Sequence, residues 1–337
     1  MDRVVISSAT SAMLNAVRGI SALVVVLGHG LSYGKQSPRL MPPQMPWMQE
    51  IAVVAFFWIS GFLVAAALDR MIKKGRGARE FIVARAVRVF LPLWPAIVFT
   101  WLLDLLTGEA AYASNRTMSV AIGNALAFQG IPWAGVPVFA SNRPLWTVAI
   151  EWWLYVFAAA VVFRPRHPAA WLVGAIATAV VLHNLFGGRG AGLTVVWFIG
   201  AAGWLAYRDP KAPDRYALAL GGVVLGLAIM RWYDTAEAYD WVAQIVFGIA
   251  ASLIALGFRS HSVSIRTTKA AEYLAMPSYS LYLVHYPIML AFGQPFGITD
   301  LVKFIAVSVV VALLFSFVFE RPRQLAVGRI LLFLREN

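Results

Sequence analysis

Arg18 and His29 are the first residues of this chain whose types and spacing could do chemistry. They lie eleven residues apart in the first hydrophobic segment, which is close to three turns of an α-helix, so both side chains are expected on one helix face. The rise between them is about 16 Å, roughly half the hydrocarbon thickness of a bilayer. Ionisable groups inside a membrane are costly unless they line a polar cavity or meet partners, so function is their default interpretation.

Glu151 and His285 are two further ionisable residues inside apolar segments, both predicted at the middle-to-outer depth of the membrane. A carboxylate beside an imidazole can form a general base and hold its tautomer, which is the catalytic interpretation. The alternative is that these side chains tie helices together. We favour catalysis for His29 and a structural role for His285, and both interpretations stay open for Glu151. No metal site is expected, because no single segment has metal-ligand spacing.

The stretch from Arg70 to Arg88 carries seven basic residues and ends in Arg85-Ala86-Val87-Arg88, at the start of the third predicted span. Residues three apart on a helix are neighbours, so this arginine pair could grip one polyanion. The alternative is an anchor that contacts lipid phosphate where the chain enters the membrane. From the sequence alone, the lipid anchor is somewhat favoured.

The composition predicts a polytopic membrane protein. The 337 residues are 60% hydrophobic, their mean hydropathy is +0.72 and only 13% are charged, whereas soluble domains carry about 25% charged residues. We therefore expect an all-α bundle of about ten transmembrane helices that forms one domain over residues 1–337. The predicted spans are 13–34, 51–68, 89–107, 144–163, 169–186, 192–207, 216–231, 241–257, 273–293 and 301–319.

Three other segments have expected roles. Residues 119–131 are apolar but interrupted by polar and glycine positions, which predicts a short interfacial or re-entrant helix. Residues 324–334 have apolar and basic positions at helical spacing, which predicts an amphipathic helix on the inner membrane surface. In the second span, Ser60-Gly61-Phe62 is expected to serve close helix packing.

The basic residues predict the orientation. With the N-terminus in the cytoplasm, twenty Lys and Arg residues fall on the inner side and seven on the outer side. This positive-inside bias predicts an even number of spans with both termini cytoplasmic. The net charge of +12 is then explained by topology and by attraction to anionic lipid, so no nucleic-acid partner is expected. The chain has no cysteine, which excludes a disulfide framework, a thiolate metal site and a cysteine nucleophile.

Six segments, in order along the chain, resemble the membrane acyltransferase type 3 family of acyl-CoA-dependent O-acyltransferases. Residues 18–29 resemble its arginine–ten-residues–histidine motif, and Arg85 with Arg88 resembles its paired-arginine motif. The chain departs from the family pattern at two places: Gly28 and Gly30 flank the histidine where bulkier residues are common, and Trp152-Trp153-Leu154-Tyr155 follow the matched glutamate where a second Glu and then Gln-Phe-Tyr are common. The other matching segments are 56–62 (FFWISGF), 145–151 (LWTVAIE), 278–285 (SYSLYLVH) and 320–322 (ERP).

The resemblance implies a cytoplasmic acyl-CoA donor and transfer to a hydroxyl of a sugar, glycan or lipid-linked saccharide at the outer side. It implies His29 as the catalytic histidine. Glu151 is a second catalytic candidate, because a carboxylate can assist an imidazole that acts as a base. Donor binding is expected at the arginine pair, and acetyl-CoA is the favoured donor. Further donor contacts are expected from Arg18, Lys73 and Lys74, and substrate-binding or structural roles from Trp146, Tyr282 and His285.

A transporter or flippase of a sugar-linked lipid or small solute is the alternative function, because buried His, Arg and Glu residues would suit it equally. Transporters often have repeated halves with broken helices in matching positions, and this sequence has neither. The expected location is the membrane, and the cytoplasmic membrane if the source is bacterial. Membrane lipids are expected partners, and a homodimer is left open.

Overall fold

The computed structural model describes residues 6–35, 42, 44–164, 167–188 and 190–336, and within these residues every regular element is helical. The all-α prediction is confirmed. Four of the basic residues used for the orientation, Arg3, Arg39, Arg166 and Arg189, lie outside the described residues. The α-helices are α1 Ser8–Tyr33, α2 Met48–Lys73, α3 Ala78–Thr107, α4 Met118–Ala125, α5 Leu145–Phe163, α6 Pro168–Phe186, α7 Ala191–Arg208, α8 Ala217–Thr235, α9 Trp241–Gly257, α10 Ile265–Ala275, α11 Ser278–Ala291, α12 Ile298–Phe315 and α13 Arg323–Glu336.

Seven helices among the described residues are long and apolar enough to cross a membrane: α1, α2, α3, α5, α6, α8 and α12 with its π-helical extension to Glu320. Two more predicted spans correspond to α7 and α9, which are shorter at 18 and 17 residues. The predicted span 273–293 is wrong as one helix, because the chain turns at Met276 and Pro277 between α10 and α11. Pro277 has no N–H to bond to the carbonyl four residues earlier, so the hydrogen-bond ladder of α10 ends there.

The chain forms two compact units: unit 1 comprises Met1–Ala67 and Ala191–Ser278, and unit 2 comprises Leu68–Gly190 and Tyr279–Asn337. In unit 1, glycines let α2 and α7 cross backbone to backbone. A Cβ on Gly61 would collide with the carbonyl of Trp197, and one on Gly200 with the carbonyl of Trp58. The expected packing role of the segment around Gly61 is thus confirmed.

Helix directions within unit 1 follow from contacts along their length. Gly192 near the start of α7 packs against Gln244 near the start of α9, and Gly203 packs against Ser252 further along, so these two helices are parallel. The N-cap serine of α1 donates a hydrogen bond to the Phe258 carbonyl at the end of α9 (2.8 Å), and Thr10, further along α1, donates to the Ala255 carbonyl, earlier on α9 (3.4 Å), so α1 is antiparallel to both. These directions agree with consecutive spans that alternate across a membrane.

Unit 2 is built on the antiparallel pair α3 and α5. Phe81 near the start of α3 meets Phe163 at the end of α5, with ring centroids 6.5 Å apart, and Phe90 meets Trp152 at 4.7 Å. The other face of α5 packs on α6. The core of this contact consists of Ile131, Trp153, Val156, Ala177 and Val180.

The region predicted as a short helix contains α4 and a 3-10 turn, Phe128–Gly130, that packs on α5. The indole N–H of Trp153 donates to the carbonyl of Ala127 (2.9 Å). The loop that follows is tied down before α5 begins. There the Ser141 hydroxyl donates to the Asp104 carboxylate (2.6 Å), and the Asn142 amide donates to the Leu283 carbonyl (2.8 Å). Helix α5 therefore starts from a fixed position in unit 2.

Candidate functional site

Arg18 lies in the middle of α1, and the continuous helix places it three turns before His29, as predicted. Its Nη2 donates a hydrogen bond to the carbonyl of Ala275 (3.1 Å), the last residue of α10. A cation that binds the terminal carbonyls of a helix is favourable, because these groups lack intrahelical partners and carry the negative end of the helix dipole. Arg18 therefore ties α1 to α10 within unit 1, a role the sequence did not indicate.

His29 lies about one turn before Tyr33, the last residue of α1, and is half-buried. The Ser32 hydroxyl donates to its backbone carbonyl (2.9 Å), which satisfies part of the helix end. Glycines precede and follow His29, so the two positions adjacent to it in the chain carry no side chain.

Arg85 and Arg88 do not lie at a helix start. Helix α3 begins at Ala78, so these residues follow its first residue by seven and ten positions, or about 10 and 15 Å of helix rise. The helix is longer than the predicted span, because hydropathy marks only the apolar part of a helix. The preceding Ala-Arg-Glu segment is made of good helix formers, which extend α3 by several turns.

Arg85 lies between two aromatic rings of unit 2. Its guanidinium is 5.4 Å from the ring centroid of Phe81 and 5.3 Å from that of Tyr155, within the range of cation–π attraction. Tyr155 is 1% exposed, and its hydroxyl donates a hydrogen bond to Glu151, one turn earlier on α5. Glu151 is thus connected to Arg85 through this tyrosine.

Arg88 is half-buried in unit 2 and interacts electrostatically with two carboxylates, those of Glu151 and Glu320. Tyr155 and Tyr279 also interact with it electrostatically. Unit 2 therefore gathers an arginine pair, two carboxylates and two tyrosines, which we call the arginine–glutamate cluster: Arg85, Arg88, Glu151, Tyr155, Tyr279 and Glu320.

Glu320 ends the π-helical turn that follows α12, a distortion that often marks functional sites. Its Oε1 accepts hydrogen bonds from the backbone N–H of Ser280 (3.0 Å) and from the Ser280 hydroxyl (2.5 Å). Tyr279 donates from its hydroxyl to the Val89 carbonyl on α3 (3.0 Å). The start of α11 is thereby held against α3 and the end of the last apolar helix.

Sequence reasoning missed the roles of Tyr155, Tyr279 and Glu320. The one local signal was the spacing of Glu151 and Tyr155, which makes them neighbours on a helix face. Glu320 had appeared only as part of a matching segment, because its partner Ser280 is 40 positions away.

His285 is fully buried within α11. Its Nδ1 donates to the carbonyls of Leu281 (3.1 Å) and Tyr282 (2.9 Å) of the same helix. A ring nitrogen that faces carbonyl oxygens carries the proton, so these contacts favour the Nδ1–H tautomer. The arrangement supports the structural role preferred for His285.

Tyr282 joins α11 to the start of α5. Its hydroxyl lies 2.5 Å from the Thr147 hydroxyl and donates to the Pro144 carbonyl (3.2 Å). Trp146 is half-buried in the same first turn of α5. The two residues singled out from the sequence thus lie on elements in direct contact.

The lysines at the end of α2 lie at the surface. The Lys73 ammonium pairs with the Asp69 carboxylate one turn earlier (3.0 Å), and Lys74 is exposed. Unit 2 also contains a largely apolar cavity of about 740 Å³ between α3, α5 and α6, and no residue of the predicted site lines it within the described part of the chain. Among the described residues, no cluster of three or more His, Asp or Glu side chains could hold a metal ion.

Comparison with known proteins gives one match. No curated protein and no solved structure matches the chain. A family model described as an acyltransferase domain, that of the acyltransferase 3 family, matches residues 12–321, nearly the whole chain. The match includes α1 with Arg18 and His29, the arginine–glutamate cluster and the π-helical turn. The chain therefore belongs to the acyltransferase 3 family and is a membrane acyltransferase, an enzyme that transfers groups other than aminoacyl groups.

Proposed function

We propose that this enzyme is an O-acyltransferase, with acetyl as the favoured group. It takes the acyl group from cytoplasmic acyl-CoA and moves it to a hydroxyl of a sugar, glycan or lipid-linked saccharide at the outer side of the membrane. The observation that carries the proposal is family membership over residues 12–321, together with a histidine on a membrane-spanning helix and an arginine pair set inside unit 2.

The donor phosphates bind Arg85 and Arg88 in this proposal, with Lys73 and Lys74 near the approach. Guanidinium groups suit this role, because their planar N–H groups match phosphate oxygens and keep their charge at any physiological pH. The position of the pair supports donor binding over a lipid anchor. The Arg85 guanidinium lies between two rings of unit 2 and Arg88 interacts electrostatically with Glu151 and Glu320, whereas a lipid anchor would face the lipid headgroups.

His29 supplies the transfer chemistry by one of two routes. As a general base, it accepts the proton of the acceptor hydroxyl while that oxygen attacks the thioester carbonyl; the C–S bond breaks and the CoA thiolate takes a proton. As a nucleophile, its ring nitrogen first takes the acyl group and releases CoA, and the acceptor hydroxyl then attacks the acyl-histidine. Both routes give the acylated acceptor and free CoA.

Glu151 is a positioning residue for the donor arginines in this proposal. Its carboxylate attracts Arg88 and accepts the hydrogen bond of Tyr155, whose ring lies beside Arg85. In addition to its contact with α10, Arg18 contributes to donor binding. Tyr282 and Trp146 hold the start of α5, and His285 stabilises α11.

His29→Ala and His29→Gln test the proposal in membranes of cells that lack the native protein. Labelled acetyl-CoA is supplied, and label in the acceptor fraction is measured. Both variants are expected to insert and resist thermal unfolding like the wild type, and to lose transfer. A folded variant that keeps transfer would refute the role of His29. Trapping of label on the protein at His29 would separate the two routes.

Family membership favours transfer over transport as the primary function. The transporter alternative predicts that the protein moves a solute without consuming acetyl-CoA. Release of CoA that depends on His29 would therefore decide between the two.

A further inference from the structure

The side chain of Gln49 packs against Gly28, the residue before His29. Gln49 is the second residue of α2 and only 7% exposed. A Cβ on Gly28 would collide with its Oε1 and come within 2.8 Å of the Met48 side chain. The glycine therefore makes room for the glutamine amide one position from the histidine.

The amide oxygen of Gln49 has no hydrogen-bond donor among the residues that the structure describes. Buried side-chain oxygens are nearly always hydrogen-bonded, so one without a protein partner indicates water or a ligand. Adjacent helical residues differ by about 1.5 Å in rise and 100° in rotation, so this oxygen lies near the helix turn that carries the imidazole.

A neutral amide oxygen accepts a hydrogen bond without introducing a charge. It suits a hydroxyl, whereas a carboxylate or phosphate would be repelled by its partial negative charge. A sugar offers hydroxyls on adjacent carbons, so one can be held while its neighbour reacts.

We propose that Gln49 is an acceptor-binding residue: its amide oxygen accepts a hydrogen bond from a hydroxyl next to the one that reacts at His29. This inference rests on the proposed function of His29. It assigns to the acceptor an uncharged pair of neighbouring hydroxyls at the position of transfer, and it explains why a glycine precedes the histidine.

Three variants test the assignment. Gln49→Met keeps the length of the side chain and removes the acceptor oxygen. Gly28→Ala keeps Gln49 and displaces its amide. The double variant G28A/Q49A removes the amide and its collision with the added Cβ, and it keeps the close contact of that Cβ with Met48. Gln129→Ala is the control, because the Oε1 of Gln129 also lacks a partner among the described residues but belongs to unit 2, where its Nε2 donates to Leu145.

The assay uses labelled acetyl-CoA and detergent extract from membranes of cells that lack the protein, as the acceptor source. The amount of extract that gives half-maximal rate should rise about 3- to 10-fold in all three variants, as for the loss of one neutral hydrogen bond. The half-saturating acetyl-CoA concentration should not change. The double variant should be no worse than either G28A or Q49M, and the control should behave like the wild type.

An unchanged half-saturating amount of extract in folded Q49M would overturn the inference, as would an equal rise in the Gln129 control. A fold-rise in the double variant equal to the product of the fold-rises in G28A and Q49M would also overturn the inference, because it would show that Gly28 and Gln49 act separately. If Q49M fails to insert, G28A alone decides. If H29A is inactive and Q49M behaves like the wild type, only the role of Gln49 is rejected. If H29A is active, the proposed function is rejected.

Discussion

Replacing Glu320 probes how the arginine–glutamate cluster is held together. Glu320→Ala removes the acceptor of two hydrogen bonds from Ser280 and one of the two carboxylates that attract Arg88. Ser280 is fully buried, so its N–H and hydroxyl lose their partner away from bulk water. We expect a lower free energy of unfolding, because the contacts that hold the start of α11 are lost.

The magnitude follows from these contacts. A hydrogen bond to a charged group contributes roughly 1.5–3 kcal/mol, and the short 2.5 Å hydroxyl bond is typical of a charge-assisted pair. Glu320 is half-buried, so solvent screening reduces the total. We expect a loss of about 2–4 kcal/mol for E320A, about 1–2 kcal/mol for Ser280→Ala, and an intermediate loss for Glu320→Gln, which keeps the acceptor and removes the charge.

The assay is reversible unfolding in detergent with a denaturing surfactant, read by the loss of tertiary tryptophan signal. The expected order of stability is wild type, S280A, E320Q and E320A. Equal stability of E320A and the wild type would refute the reasoning, and so would a larger loss in S280A than in E320A. The difference between the wild type and E320Q measures the contribution of the carboxylate charge, and the difference between E320Q and E320A measures that of the acceptor oxygen.

Three further predictions concern the donor, the packing of unit 1 and pH. Acyl-CoA affinity, measured by calorimetry, should fall in R85A/R88A and should fall with added salt in the wild type; unchanged affinity in the double variant would assign the pair to lipid or structure. Gly61→Ala should destabilise the protein by about 1–3 kcal/mol, because its Cβ meets the backbone of α7. Gly222→Ala on α8 should not, because a Cβ there meets nothing within 4 Å. Equal effects of the two substitutions would refute the packing argument. Burial alone would raise the pKa of the Asp240 carboxyl, but hydrogen bonds from Arg231 and the Ala243 N–H lower it below its ordinary value. Its contribution to stability is therefore present above the ordinary pKa of about 3.9 and is lost as the pH falls through the pKa in the folded protein. Asp240→Asn should remove this part of the pH dependence of unfolding. The same dependence of stability on acid pH in the variant and the wild type would contradict the prediction.

Much of the fold could be predicted because length and hydropathy determine which segments can cross a bilayer. The limits have physical causes. The run 273–293 is apolar throughout, and hydropathy does not register the turn at Met276 and Pro277. Helix α3 starts eleven residues before its predicted span, because helix propensity extends the helix beyond its apolar part.

The site was predictable only where its residues are neighbours on one helix. Arg18 with His29 follows from helical periodicity, and so does Glu151 with Tyr155. The contact of Glu320 with Ser280 and that of Arg18 with the end of α10 join distant parts of the chain. Such contacts depend on tertiary packing, which periodicity does not encode.

The most direct test of the central claim follows an acetyl group across the membrane. Vesicles are prepared in both orientations from cells that carry only the variant of interest, with the native acceptor in the membrane. Labelled acetyl-CoA added outside should label the acceptor in inverted vesicles, whose cytoplasmic face is exposed, and not in sealed right-side-out vesicles. The label should be absent with His29→Ala, and the released CoA should stay on the donor side. Labelling in sealed right-side-out vesicles alone, or transfer that persists without His29, would contradict the account.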